Sequence, residues 1–275
     1  VATQIPNSHP NQNIASATLS TAQSNGWIWD IALPTRRGTG YVFSSKYQSD
    51  ESATDTLKSY IAKSTSEQQA EQLNYRVLKF SPGYRQKFWI KNCVAVGMSA
   101  GFLEPLEASA LAMVELSISM LSEQLPQNRT HMSQLANRFN DRFSTRWQRV
   151  VEFLKLHYVL SERDDTPYWQ NIRDLTTAPE RLQNLLKLWQ FQPPSRFDFI
   201  ENEEVFSSSS YQYVLYGMGF NTQTPQAHNA FTSAQAGDYF YQQNREKIAQ
   251  YLKGLPSNRA LLNDLLSNNR QPHND

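Results

Sequence analysis

Glycine is scarce: the chain has 10 in 275 residues, about half the usual ~7%. A complete α/β nucleotide-binding enzyme spends glycines on phosphate loops, and this chain has few to spend. One cysteine, Cys93, excludes an intrachain disulfide framework and any zinc site built from several cysteines. No apolar run approaches the ~18–20 residues that a membrane helix needs. Charge of one sign is not in excess either. Lys plus Arg is 26 and Asp plus Glu is 25, so the net charge is +1. That balance gives no electrostatic reason to expect nucleic acid or an anionic membrane surface as partner. The five histidines are scattered, with no pair at metal-ligand spacing, so no metal is expected. No Gly-x-Ser-x-Gly is present. Gly38-Thr-Gly40 and Gly217-Met-Gly219 lack the third glycine of a dinucleotide fingerprint. The opening Val1-Ala-Thr-Gln-Ile-Pro6 has no charged segment before an apolar core, so no signal peptide is read there and the cytoplasm is the expected compartment.

What the sequence does contain is a change of period. Residues 14–21 and 27–33 alternate apolar and polar positions around Ser24-Asn25-Gly26, and Arg36-Arg-Gly-Thr-Gly40 reads as a second turn before Tyr41-Val-Phe43. Residues 49–63 read as a helix capped by Ser49 or Asp50, with Ala53, Leu57, Tyr60 and Ile61 on one face. Residues 75–80 and 87–97 read as strands, the second apolar enough at its end to be covered on both faces, which would bury Cys93. After Gly97 the spacing turns helical. Helices are expected over residues 106–125, 135–160, 178–191, 237–252 and 256–266, and in the later part of 202–217, after the serine run 207–210. The strongest is 135–160, where Phe139, Phe143, Trp147, Val150, Val151, Leu154 and Tyr158 form one stripe. The polar stretch 267–275 is expected to fray. The fold class is α+β: a β-rich part over residues 1–105 and a helical region over residues 106–275.

The densest chemistry lies in Gly97-Met-Ser-Ala-Gly-Phe-Leu-Glu-Pro-Leu-Glu-Ala-Ser-Ala110. Here a buried strand is expected to end at Gly97. Ala100 and Gly101 would let a flat ligand approach the backbone, and Pro105 would open a helix. Free amides near Ala108, Ser109 and Ala110 would favour an anion. Glu104 and Glu107, three apart, would share a helical face; spacing leaves open whether they do chemistry or only complement the helix dipole. Trp27 and Trp29 fall on one face of a strand, with Ile28 and Asp30 on the other; they either wall an aromatic pocket or pack in the core. Asp164-Asp165-Thr-Pro reads as turn chemistry, and His157 as a satisfied core histidine on the apolar stripe.

Taken together, Gly26-Trp-Ile-Trp-Asp-Ile31, Gly40-Tyr-Val-Phe-Ser-Ser45 and Phe88-Trp-Ile-Lys-Asn-Cys-Val-Ala-Val-Gly-Met-Ser-Ala-Gly-Phe-Leu-Glu-Pro-Leu-Glu107 resemble the flavin-dependent tryptophan halogenase family. Leu156-His-Tyr-Val-Leu-Ser-Glu-Arg-Asp-Asp-Thr-Pro-Tyr-Trp169 and Tyr213-Val-Leu-Tyr-Gly-Met-Gly219 resemble its helical region, so the likeness spans about residues 1–265. The resemblance implies a fold related to the FAD-dependent aromatic hydroxylases. It implies an enzyme that uses reduced FAD, supplied by a flavin reductase, with O2 and chloride or bromide, to make hypohalous acid for electrophilic halogenation of an electron-rich, indole-like ring. It also implies residue roles: Glu107 as catalytic carboxylate, Ser109 and Ala110 as halide-binding amides, Met98 and Leu111 as flavin contacts with Gly97, Ala100 and Gly101 in the flavin-side loop, and Trp27, Trp29 and Phe206 on the substrate side.

The match has departures. Ile31-Ala32 stands where the family has Ile-Pro, Ser109 and Ala110 replace a frequent threonine and glycine, and the region that holds free tryptophan is shortened beside Phe206. The family's glycine-rich FAD loop and catalytic lysine belong to an N-terminal half expected before Val1, a location that would account for the glycine shortage. That half of the same protein is an expected partner, and a homodimer one expected assembly. An aromatic monooxygenase of the same fold, or an inactive aromatic-binding remnant, is the alternative reading.

Overall fold

The computed structural model describes residues 1–199, 204–223 and 230–268. Its elements are, in chain order, β1 (Ala2–Pro6), β2 (Leu19–Gln23), β3 (Gly26–Ala32), β4 (Arg36–Phe43), α1 (Asp50–Ala62), α2 (Glu67–Gln72), β5 (Gly83–Tyr84), β6 (Trp89–Ile90), β7 (Cys93–Val94), β8 (Gly101–Phe102), α3 (Ala110–Gln124), α4 (Met132–Val159), α5 (Pro167–Ile172), α6 (Glu180–Trp189), α7 (Ser208–Gly217), α8 (Ala230–Gly254) and α9 (Asn258–Asn268). The α+β class read from the periodicity is the class observed. The chain forms two compact units, one of residues 1–78 with the chain from 224 onward, the other of residues 79–223. The units do not divide at residue 105, where the sequence pattern placed its boundary. The short strands β5 to β8 belong with the helices because their aromatic side chains pack there: Phe88 and Trp89 meet Phe143 and Phe139 edge-on.

In the first unit, β1, β4, β3 and β2 form an antiparallel sheet in that order. Gln23 pairs with Gly26, so the turn expected at Ser24-Asn25-Gly26 is made by Ser24-Asn25 alone, and Gly26 opens β3. The second turn falls earlier than the glycines implied. Leu33 donates to the Arg36 carbonyl at 2.8 Å across Pro34-Thr35, and Arg36 to Gly40 is strand. Gly40 is needed for close approach rather than for turning. It faces Trp29 across the ladder, and a Cβ on it would lie 2.4 Å from the indole. Helix α1 is capped by Ser49, which accepts from Ser52 N at 3.2 Å, and it seats Ala53, Leu57 and Ile61 against Ile28 and Tyr41. Full burial of a side chain such as Leu57 stabilises by roughly 1.5–3 kcal/mol. Helix α9 is tied to the segment before β2 by Asn258 Nδ2 on the Ile14 carbonyl and Arg259 Nε on the Gln12 carbonyl, at 3.2 and 2.9 Å.

Three expected strands change. Of residues 14–21 only those from Leu19 join β2, which runs on to Gln23. Residues 75–80 contribute one bridge, Ala2 with Arg76, and leave Leu78 and Phe80 exposed. Residues 87–97 are not one strand: Lys91 takes φ +56° and folds them into the β6–β7 hairpin, which puts Cys93 in the open.

In the second unit, α4 is the organiser, and its stripe is buried as the spacing implies, with Val151 partly exposed. Asn140 on α4 straps the hairpin down. Its Oδ1 accepts from Phe88 N and Trp89 N at 2.7 and 2.8 Å, and its Nδ2 donates to the Trp89 carbonyl. Helices α6 and α7 close the core with Leu182, Trp189, Tyr211 and Leu215. The helix expected late in 202–217, after the serine run, is observed from Ser208, inside that run; residues 202 and 203 lie outside the described residues, as do residues 269–275 of the expected frayed end. Asp165 is forked onto Arg163 and Thr166 caps α5, a turn as read.

Candidate active site

The loop between β8 and α3 is where expectation and structure differ most. No helix starts at Pro105. Ala108 takes φ +50°, a left-handed conformation that costs a residue with a Cβ and cannot continue a right-handed helix. Helix α3 therefore begins at Ala110, with Ser109 as its cap residue. Glu104 and Glu107 consequently do not share a helical face. Both reach instead to the C-terminal end of α4.

Tyr158 donates its hydroxyl to Glu104 Oε2 at 2.7 Å, and His157 Nε2 stands 2.7 Å from Glu107 Oε1. His157 Nδ1 is 2.8 Å from the Phe153 carbonyl, and the Phe153 ring meets the imidazole edge-to-face at 5.2 Å. The Glu107 side chain remains 32% exposed. Next to it, the Ala108 amide donates to the Pro105 carbonyl at 3.3 Å and is not free for an anion. Among the described residues the amides of Ser109 and Ala110 have no acceptor in the chain, and the Ser109 side chain does not cap them. A carboxylate close in sequence to two amides without an acceptor at a helix start can hold a small anion and a protic reactant near one another.

Met98 and Leu111, on either side of this loop, are each 82% exposed. Such uncovered apolar side chains fit one face or edge of a flat aromatic cofactor. They offer nothing to a diphosphate, and no phosphate cradle is present in the sequence. Ala100 and Gly101 do not offer bare backbone to a ligand. Ala100 is buried in the core, and the open side of Gly101 is taken by Tyr84, whose Cβ would lie 2.6 Å from an added Cβ. Gly97 holds φ +62° at the head of the loop.

The other expected site residues lie elsewhere. Phe206 is buried and stacked on Phe153, centroids 3.9 Å apart, in the core of the second unit. Trp27 and Trp29 belong to β3 of the first unit; Trp27 is buried and Trp29 lies over Gly40. The residue that sequence reasoning undervalued is His157. A polar ring inside the α4 stripe was its only signal, and what it faces is set fifty residues away.

Comparison with known proteins bears on the chain as a whole. The family description "tryptophan halogenase" matches residues 1–255. The crystal structure of a tryptophan halogenase from Shewanella frigidimarina NCIMB 400 superposes with a TM-score of 0.90 at 47% identity, covering 95% of this chain and 49% of that one. A tryptophan 6-halogenase from Streptomyces toxytricini is 30% identical over 257 residues, 94% of this chain and 48% of its own length. A flavin-dependent halogenase from Brevundimonas sp. BAL3 superposes with a TM-score of 0.79 at 32% identity, covering 96% of this chain and 51% of that one. The fold is thus the one shared by these halogenase structures. The chain belongs to the tryptophan halogenase family. It spans about half the length of the curated relatives it matches.

Proposed function

We propose that these residues serve flavin-dependent halogenation of an electron-rich, indole-like aromatic, with Glu107 as the catalytic carboxylate. The observation that carries the reading is the placement of Glu107, anchored through one oxygen to His157 and two residues before the helix start at which the Ser109 and Ala110 amides have no acceptor. FAD, reduced by a separate flavin reductase, would supply the oxidising chemistry with O2. Met98 and Leu111 would lie against its ring system, and Gly97, Ala100 and Gly101 would shape the loop that presents them. The Ser109 and Ala110 amides would bind chloride or bromide. Glu107 would hydrogen-bond the hypohalous acid. As the carbon–halogen bond forms, the oxygen–halogen bond would break, and Glu107 would accept the proton lost from the ring and pass it to the departing hydroxide, which leaves as water. Phe206 would act from the substrate side by shaping the wall behind Phe153 rather than by contact, because its ring is buried.

Glu107→Gln keeps the shape and removes the base. In the full protein, with a flavin reductase, FAD and bromide, halogenated product should fall by on the order of 10²–10⁴-fold while flavin binding persists. Undiminished turnover in this variant would sink the assignment. Product mass spectrometry decides against the monooxygenase alternative: oxygen appearing on the ring without halide would favour hydroxylation.

A further inference from the structure

We infer that His157 is the positioning residue of Glu107, acting with it as a unit that holds one proton; the inference rests on the reading of Glu107 as the catalytic carboxylate. The Phe153 carbonyl can only accept, so His157 Nδ1, 2.8 Å from it, carries a hydrogen. The other ring nitrogen lies 2.7 Å from Glu107 Oε1. Two lone pairs cannot face each other at that distance, so a proton lies between Nε2 and Oε1, covalently on one or the other. The imidazole cannot turn over without losing both bonds, and the Phe153 ring, itself stacked on Phe206, holds it edge-on.

The loop is gripped twice. Consecutive residues on a helix point about 100° apart, and His157 and Tyr158 take Glu107 and Glu104 respectively, both at 2.7 Å. The grip holds the loop on either side of Leu106 and just before Ala108, whose φ of +50° persists only where the surroundings enforce it. Among the described residues Glu107 Oε2 has no partner, and the side chain is one-third exposed. One oxygen is therefore committed to His157 and the other is presented outward. The ring proton would pass to Oε2, the electron pair of the broken C–H bond returning to the aromatic system, while the Oε1–Nε2 bond keeps the carboxylate from swinging away. Such an arrangement orients a reactive group through a second residue, as the third member of a catalytic triad does.

The test uses the full protein with reductase, FAD, bromide and an aromatic that the wild type halogenates, indole first. His157→Phe should lower kcat on the order of 10- to 100-fold with KM and melting temperature nearly unchanged. His157→Gln, whose amide can still donate to Oε1, should recover part of that loss. In a Glu107→Gln background, His157→Phe should cost little more, because its partner is already gone. Independently of turnover, proton NMR of ring-labelled histidine should show a hydrogen-bonded imidazole N–H in the wild type that moves upfield or vanishes in Glu107→Gln. Wild-type kcat in His157→Phe, or an imidazole resonance indifferent to Glu107→Gln, overturns the inference provided Glu107→Gln is itself inactive. An active Glu107→Gln removes the underlying assignment instead.

Discussion

At the scale of single residues, close approach and burial decide more than motif membership. Gly101 shows this. Besides the Tyr84 Cβ, an added Cβ would meet the Tyr84 Cα at 2.8 Å and the Gly83 carbonyl oxygen at 2.9 Å, and these backbone atoms cannot rotate away. Gly101→Ala should therefore destabilise the second unit by about 1–3 kcal/mol in urea denaturation, and it should loosen the Tyr84–Trp147 stack, readable in tryptophan fluorescence. Asp30 makes the electrostatic counterpart. Its side chain is 6% exposed, with Arg37 Nε 3.1 Å away but poorly aligned for a hydrogen bond, and Tyr60 donating at 3.3 Å. Burial pushes its carboxyl above the ordinary 3.8, and the Arg37 charge only partly offsets this. A raised folded-state value means that the native state binds this proton more tightly than the unfolded chain. Asp30 thus contributes its stability fully below pH 3.8 and loses it as pH rises through the raised value. Melting curves of Asp30→Asn against wild type across the acid range should show this loss in the wild type and not in the variant.

At the scale of elements, caps and packed faces set where helices begin and what they hold. A cap at Ser49 or Asp50 was legible because the apolar face of α1 starts just after them, and Ser49 is the one observed. Ser49→Ala should cost about 0.5–2 kcal/mol. Leu57→Ala, on the same helix but with its side chain fully buried against Ile28 and Tyr41, should cost about 2–5 kcal/mol. Circular dichroism during chemical denaturation separates the two; equal effects would mean that the α1 face is not the packed one. The start of α3 was misplaced for the opposite reason. Pro105 and two glutamates make a good helix opening by composition, yet both carboxylates find hydroxyl and imidazole partners on α4 and Ala108 breaks the backbone. A local signal lost to contacts fifty residues away.

At the scale of the whole molecule, two separate cores carry the chain. One is Val1, Ile5, Ile28, Tyr41, Ala53, Leu57, Ile61 and Ala70; the other is organised along α4 and joined by α6 and α7. The candidate active site lies wholly within the second unit, on the loop and the α4 end that this unit brings together. Among the described residues no helix is long and apolar enough to cross a membrane. On the proposed reading Met98 and Leu111 would flank FAD, and the sequence holds no glycine-rich phosphate loop. Titration of this chain alone with FAD, followed by flavin fluorescence, should show weak, non-saturating quenching. Tight binding by the isolated chain would mean that its flavin contacts extend well beyond the loop.

The sequence alone determined the fold class, the α4 stripe and the place of the turn at Ser24-Asn25-Gly26. These depend on side-chain period and turn chemistry, which are local properties of the chain. Tertiary structure decided the rest. It made a strand of the Arg36–Gly40 stretch because Trp29 needs Gly40 bare beside it. It opened Cys93 to solvent because Lys91 turns the chain. It joined Glu107 to His157, a contact between residues distant in sequence that no spacing rule contains, because only the packed helix places that imidazole beside the loop.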